Sequence, residues 1–137
     1  MNRDEIMNIL PHRDNMLLID EAEVSEGEAI AKYTVKGDEF FLKGHFPGNP
    51  VVPGVVLCEM MGQSACVLLD VDGKFTPYFT GMNNVKFKNK VVPGDTIELK
   101  SRVEKVKGPF YFIKSAAYVD GKLCAAGEFS FAIVKGE

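Results

Sequence analysis

Apolar residues recur along this chain with three different periods. Near the N-terminus Ile6, Ile9 and Leu10 fall at helical spacing. Asn2, with Glu5 three residues on, forms the capping-box pattern that opens a helix, and Pro11 stops it. Two extended stretches follow, over residues 16–24 and 29–35, with a turn near Gly27. From residue 55 to residue 69 the apolar positions run nearly all round, through Val55, Val56, Leu57, Met60, Met61, Ala65, Val67, Leu68 and Leu69. That predicts a helix of about four turns, buried on every side and ending near residues 70–73. Beyond it the period changes to two, with Ile97, Leu99, Ser101 and Val103 alternating with Glu98, Lys100, Arg102 and Glu104. Runs over Phe110–Val119 and residues 123–134 are joined by the hairpin signal Asp120-Gly121, and Pro93-Gly94-Asp95 supplies a further turn. One buried helix with several long antiparallel strands predicts an α+β domain, a single sheet curled around that helix.

Composition narrows the class. A chain of 137 residues reads as one domain, 1–137, able to bury about two-thirds of its unfolded surface. Hydrophobic residues at 46% and charged residues at 26% are ordinary for a globular protein and argue against disorder. A net charge of −3 supplies no global positive field, so nucleic acid is not the expected partner. Cys58, Cys66 and Cys124 are odd in number and lack CxxC spacing, as expected of reduced, buried thiols in a cytoplasmic protein. The charged start Met1-Asn2-Arg3-Asp4-Glu5 lacks the apolar core of a signal peptide, and no apolar run approaches bilayer-spanning length.

Candidate chemistry concentrates in Gly44-His45-Phe46-Pro47-Gly48-Asn49-Pro50-Val51-Val52-Pro53-Gly54, where three prolines and three glycines stiffen the backbone around one imidazole. Rigidity around a titratable group is what positioning a base requires, although a lone loop histidine is also a common surface residue. Glu59 follows Gly54 by five residues, about 7.5 Å along a helix, among apolar neighbours. Desolvation favours the protonated form of such an acid, which suits a general acid. Gln63, one turn later, is placed to orient it. Gly54 admits two readings: a plain helix start after Pro53, or a bare backbone whose first N–H groups polarise a ligand carbonyl. His12, in Leu10-Pro11-His12-Arg13, has no comparable frame and reads as a residue near the first helix end.

The long segment through Val55, with Glu59 and Gln63, resembles the signature of the 3-hydroxyacyl-[acyl-carrier-protein] dehydratases of type II fatty acid synthesis. The resemblance extends over nearly the whole chain. It takes in Leu10-Pro11-His12-Arg13, Leu17-Leu18-Ile19-Asp20, Phe40-Phe41, Val85-Lys86-Phe87-Lys88, Val91-Val92-Pro93-Gly94-Asp95 and Val119-Asp120-Gly121-Lys122. It implies a hot-dog fold, no cofactor and no metal, and a homodimer as the catalytic unit, commonly assembled into a hexamer as a trimer of dimers. His45 of one subunit then faces Glu59 of the other. His45 removes the C2 proton of a 3-hydroxyacyl thioester, Glu59 protonates the departing hydroxyl directly or through a water, and the Gly54 N–H polarises the thioester carbonyl. Glutamate in place of the aspartate typical of the related dehydratase-isomerases points to plain dehydration. Met60 and Met61 stand where alanines are more usual, and either reshape the acyl tunnel or simply fill the core.

The implied partner is an acyl carrier protein. Lys86, Lys88 and Lys90 alternate along one apparent strand and, if it stays extended, project from one face, either to attract an acidic carrier or as an ordinary solvated face. Tyr78 falls where the family often has a mobile aromatic gate, a core tyrosine being the simpler reading. Two rival functions use similar chains: a hot-dog thioesterase, which does not need this His-loop and Glu-helix pair, and a non-catalytic acyl-binding module, against which His45 and Glu59 both argue.

Overall fold

The computed structural model describes residues 1–69 and 73–136. A short helix α1 (Arg3–Met7) opens on the capping box read from the sequence: the Asn2 side chain accepts from the Glu5 N–H and the Glu5 carboxylate accepts from the Asn2 N–H. Six strands follow in one antiparallel sheet: β1 (Glu21–Ser25), β2 (Glu28–Thr34), β3 (Phe75–Phe87), β4 (Thr96–Lys107), β5 (Phe110–Val119) and β6 (Lys122–Lys135). Their spatial order is β1-β2-β4-β5-β6-β3, and the helix α2 (Gly54–Cys66) packs against the sheet's inner face. This is the expected α+β hot-dog architecture.

Elements with a clean period lie where the sequence puts them. Ile97, Leu99 and Ser101 face the core from β4, and the β5–β6 hairpin turns at Asp120 and Gly121, both with positive φ. Ser101 also joins a buried hydroxyl chain, 3.1 Å from the Ser64 Oγ on α2 and 2.6 Å from the Ser115 Oγ on β5, so the polar groups between helix and sheet satisfy one another.

Four expectations need correction. The stretch 16–24 is a strand only from Glu21, because Asp14–Met16 forms a 3₁₀ turn and the Leu18 N–H bonds the Gln63 side chain instead of a neighbouring strand. The central helix spans Gly54–Cys66, and Leu68 and Leu69 continue it as tight turns to Ala65 and Cys66. Residues 70–72, where it was expected to end, lie outside the described residues. The helix is not buried all round either, since Val55 is 77% exposed. Finally, β3 runs for 13 residues although only its end was legible. Pro77, Gly81 and the Asn83-Asn84 pair interrupt its pattern; an edge position tolerates the proline, and register shifts at 79/81 and 83/86 absorb the rest.

Gly62 explains how closely helix and sheet approach. A Cβ there would stand 2.7 Å from the Phe79 Cζ and 3.0 Å from the Phe131 Cζ. Met60 and Met61 flank this contact fully buried, as core filling. Cys58, Cys66 and Cys124 are free and buried, as expected. Among the described residues no helix is long and apolar enough to cross a membrane.

Candidate active site

The stiff segment folds into a compact loop held by its own main chain. Phe41 and Leu42 anchor its entry in the core, and the His45 N–H donates to the Leu42 carbonyl at 3.2 Å. Phe46 and Asn49 exchange main-chain bonds of 3.0 and 2.8 Å, with Gly48 taking the left-handed conformation between them. The Val51 N–H reaches back to the His45 carbonyl at 2.7 Å, and the Val52 N–H donates to Val91 at 2.9 Å, tying the exit to the β3–β4 connection.

Within this loop the imidazole has a defined orientation. His45 Nδ1 lies 2.9 Å from the Val51 carbonyl oxygen. A carbonyl only accepts, so Nδ1 carries a hydrogen, and in the neutral ring Nε2 is the nitrogen with the lone pair. The half-buried ring stacks on Phe46, with centroids 4.2 Å apart. It lines an open groove of about 610 Å³ together with Val51, Gly54, Val55, Phe87 and Lys90.

Gly54 begins α2 with no side-chain cap, which leaves first-turn N–H groups without helical partners beside this groove. Its lack of a side chain has a second cause. A Cβ would stand 2.9 Å from the Phe87 ring, so the glycine accommodates an aromatic neighbour as well as any ligand.

Glu59 lies one turn further along α2 and is half-buried. As the spacing predicts, Gln63 Nε2 donates to Glu59 Oε2 at 2.9 Å. The residue that the sequence reading set aside is His12, whose Nε2 stands 3.3 Å from the same Oε2. No periodicity signals a contact across 47 positions; the only sequence cue was the place of His12 in the N-terminal block of the resemblance. Nearby Cys66 is not a competing nucleophile, because burial, reinforced by the Glu59 charge, pushes its thiol pKa up.

The groove that His45 lines does not include Glu59, whose described polar neighbours are Gln63 and His12. Nor do the three lysines form one row. The strand ends at Phe87; Lys86 lines a separate depression with Lys100, Arg102 and Lys114, whereas Lys88 and Lys90 line the His45 groove. Tyr78 is half exposed on β3, opposite Ala132, so it is not a core tyrosine; it also stands apart from the groove, nine residues before Phe87. Among the described residues no cluster of three His, Cys, Asp or Glu side chains is spaced to hold a metal.

Comparison with known proteins bears on the family and the fold. A family model described as ApeI-like, ApeI dehydratase, matches residues 21–128. The 3-hydroxyacyl-[acyl-carrier-protein] dehydratase FabZ of Clostridium perfringens (strain SM101 / Type A) is 43% identical over 138 residues, covering 97% of this chain and 99% of that protein. FabZ of Streptococcus agalactiae serotype V is 44% identical over 134 residues, covering 94% and 95%. Among solved structures, the dehydratase heterocomplex ApeI:P from Xenorhabdus doucetiae aligns with a TM-score of 0.81 at 19% identity, covering 96% of this chain and 91% of that one. That last similarity speaks to the fold.

Proposed function

The chain belongs to the 3-hydroxyacyl-[acyl-carrier-protein] dehydratase family, and we propose that it dehydrates (3R)-3-hydroxyacyl-carrier thioesters to trans-2-enoyl thioesters using His45 and Glu59 from two copies of the chain. The observation that carries this reading is the hydrogen bond from His45 Nδ1 to Val51, which leaves Nε2 as the free basic nitrogen. Nε2 takes the C2 proton, and the electron pair of the broken C–H bond forms the C2–C3 double bond as the C3–O bond breaks. Glu59 delivers its proton to the departing hydroxyl, which leaves as water. His45 ends protonated and Glu59 ionised, and a proton passing from one to the other resets the site. The N–H groups at the start of α2 stabilise negative charge building on the thioester oxygen.

The dimer is the catalytic unit in this reading and a trimer of dimers the larger assembly, in the cytoplasm. Lys88 and Lys90, at the groove that His45 lines, favour the approach of an acidic acyl carrier protein, with Lys86 contributing from further away. Tyr78 serves as an aromatic gate only where the second copy brings it to the site. The fold alone also suits a thioesterase. Incubation with a 3-hydroxyacyl thioester separates the two, since dehydration yields the ultraviolet absorbance of a conjugated enoyl product and hydrolysis yields free thiol. Free thiol without enoyl absorbance overturns the dehydratase reading.

A further inference from the structure

Among the described residues, Gln63 and His12 approach the Glu59 carboxylate at the same oxygen. Gln63 Nε2 stands 2.9 Å from Oε2, and His12 Nε2 stands 3.3 Å from it. The Gln63 amide cannot be turned round, because its Oε1 accepts the Leu18 N–H at 2.9 Å and its Nε2 donates to the Met16 carbonyl at 2.8 Å. Oε2 therefore accepts from Gln63, and a proton on Oε2 would crowd against that N–H. The 3.3 Å approach of His12 lies within ion-pair range without the alignment of a hydrogen bond, and it is attractive when the ring carries a hydrogen on Nε2. The other ring nitrogen, Nδ1, is buried with no hydrogen-bond partner among the described residues. An imidazolium would bury an unpaired N–H there, whereas the neutral ring leaves only a bare lone pair, the smaller cost.

The segment that carries His12 is itself held in place. The Arg13 guanidinium gathers the carbonyls of Met7, Leu10 and His12 at 3.0, 2.8 and 2.7 Å, fixing the chain as it leaves α1. Thus His12 and Gln63 approach Glu59 from two elements and converge on one atom. This is more than packing requires, since a half-buried glutamate needs no second polar neighbour on the same oxygen.

We propose that His12 is a positioning residue for the acid: Gln63 holds Oε2 of Glu59 as a hydrogen-bond acceptor, the His12 ring nitrogen stands beside the same oxygen, and Oε1 is left as the oxygen that carries and delivers the proton. The inference rests on the assignment of Glu59 as the acid. In the step, the Oε1–H bond breaks, its proton goes to the C3 hydroxyl, and water departs. The electron pair left on Oε1 spreads over the carboxylate, and the Gln63 donor and the His12 ring nitrogen already stand at its Oε2 end. No donor has to move as that charge appears, so the contribution belongs to the transition state and not to substrate binding.

The test compares three variants of the full-length protein. His12→Gln keeps an amide nitrogen within reach of the Nε2 position, His12→Asn places it at the Nδ1 position, and His12→Phe keeps the ring without a donor. The expected result is a kcat roughly 10- to 100-fold lower in the Asn and Phe variants, with KM nearly unchanged and most of the rate restored in His12→Gln. Equal rates in the Gln and Asn variants, or a loss confined to KM, overturn the proposal. Glu59→Gln separates the two levels of the argument. A wild-type rate in Glu59→Gln overturns the acid assignment itself, whereas an inactive Glu59→Gln beside a fully active His12→Asn overturns only the role of His12.

Discussion

His45 Nδ1 donates to the main-chain carbonyl of Val51, six residues further along the same loop, at 2.9 Å. The loop thereby selects the tautomer and aims the other nitrogen away from its own backbone. Because the half-buried ring sits in a loop outside the core, removing it leaves the core packing in place. His45→Ala is expected to lower kcat by about 10²- to 10⁴-fold while changing stability by less than about 1 kcal/mol. Steady-state rates and urea unfolding check this together; a variant that keeps a tenth or more of wild-type kcat excludes His45 as the base.

Gly54 and Phe87 make the second prediction. A methyl group at Gly54 would stand 2.9 Å from two ring carbons of Phe87, and that ring is 53% exposed. It has room to swing outward, into the groove that His45 lines. Gly54→Ala should therefore damage the site more than the fold, with kcat/KM falling about tenfold and stability changing by less than about 1.5 kcal/mol. Adding Phe87→Leu, which frees the space, should recover much of the loss. A double variant as impaired as the single would mean that the glycine's backbone, and not its room for Phe87, matters to catalysis.

What was legible in the sequence follows the range of the forces involved. The alternation of β4 and the Asp120-Gly121 hairpin are local, so Phe110–Val119 was bounded correctly. The same holds for Glu59 and Gln63, one helical turn apart. β3 was not legible because its stability comes from pairing with β6, which overrides Pro77 and the Asn83-Asn84 break. The contact of His12 with Glu59 depends on the chain after α1 folding back over α2, a tertiary event with no periodic trace. The exposure of Val55 has the same origin, since period alone does not say which turn of an apolar helix the sheet leaves uncovered.

Glu39 predicts an acid dependence of stability. Burial works against its charge, but the N–H groups of Lys36 and Gly37, at 2.9 and 2.8 Å, and the Tyr33 hydroxyl at 2.7 Å outweigh it and hold the carboxyl below its ordinary value of 4.5. A carboxyl depressed in the folded state stabilises the protein above its unfolded pKa, and that contribution fades as pH falls through the folded value. Tyr33, pushed up first by burial and then by Glu39, keeps its proton throughout this range. Glu39→Gln should cost about 1 kcal/mol at neutral pH and flatten the decline in stability at acid pH. Urea unfolding of both proteins between about pH 3 and 6 measures the two slopes; parallel curves would tell against this role.

A site that takes His45 from one copy and Glu59 from another predicts complementation between defective subunits. If each site takes His45 from one copy and Glu59 from the other, a dimer of His45→Ala with Glu59→Ala has one site missing both groups and one site intact. Two-fold symmetry makes the two sites of the wild-type dimer equivalent, so random pairing gives about half mixed dimers and roughly a quarter of wild-type activity. The variants are inactive alone and should regain activity when unfolded together and refolded, but not when merely mixed without exchange. A site contained in one chain predicts no recovery at any mixing ratio, because every chain would lack one of its two groups. Recovery that rises with the fraction of mixed dimers therefore ties the second copy to the chemistry. Its absence, in refolded samples shown by mass to contain mixed dimers, returns the reaction to a single subunit.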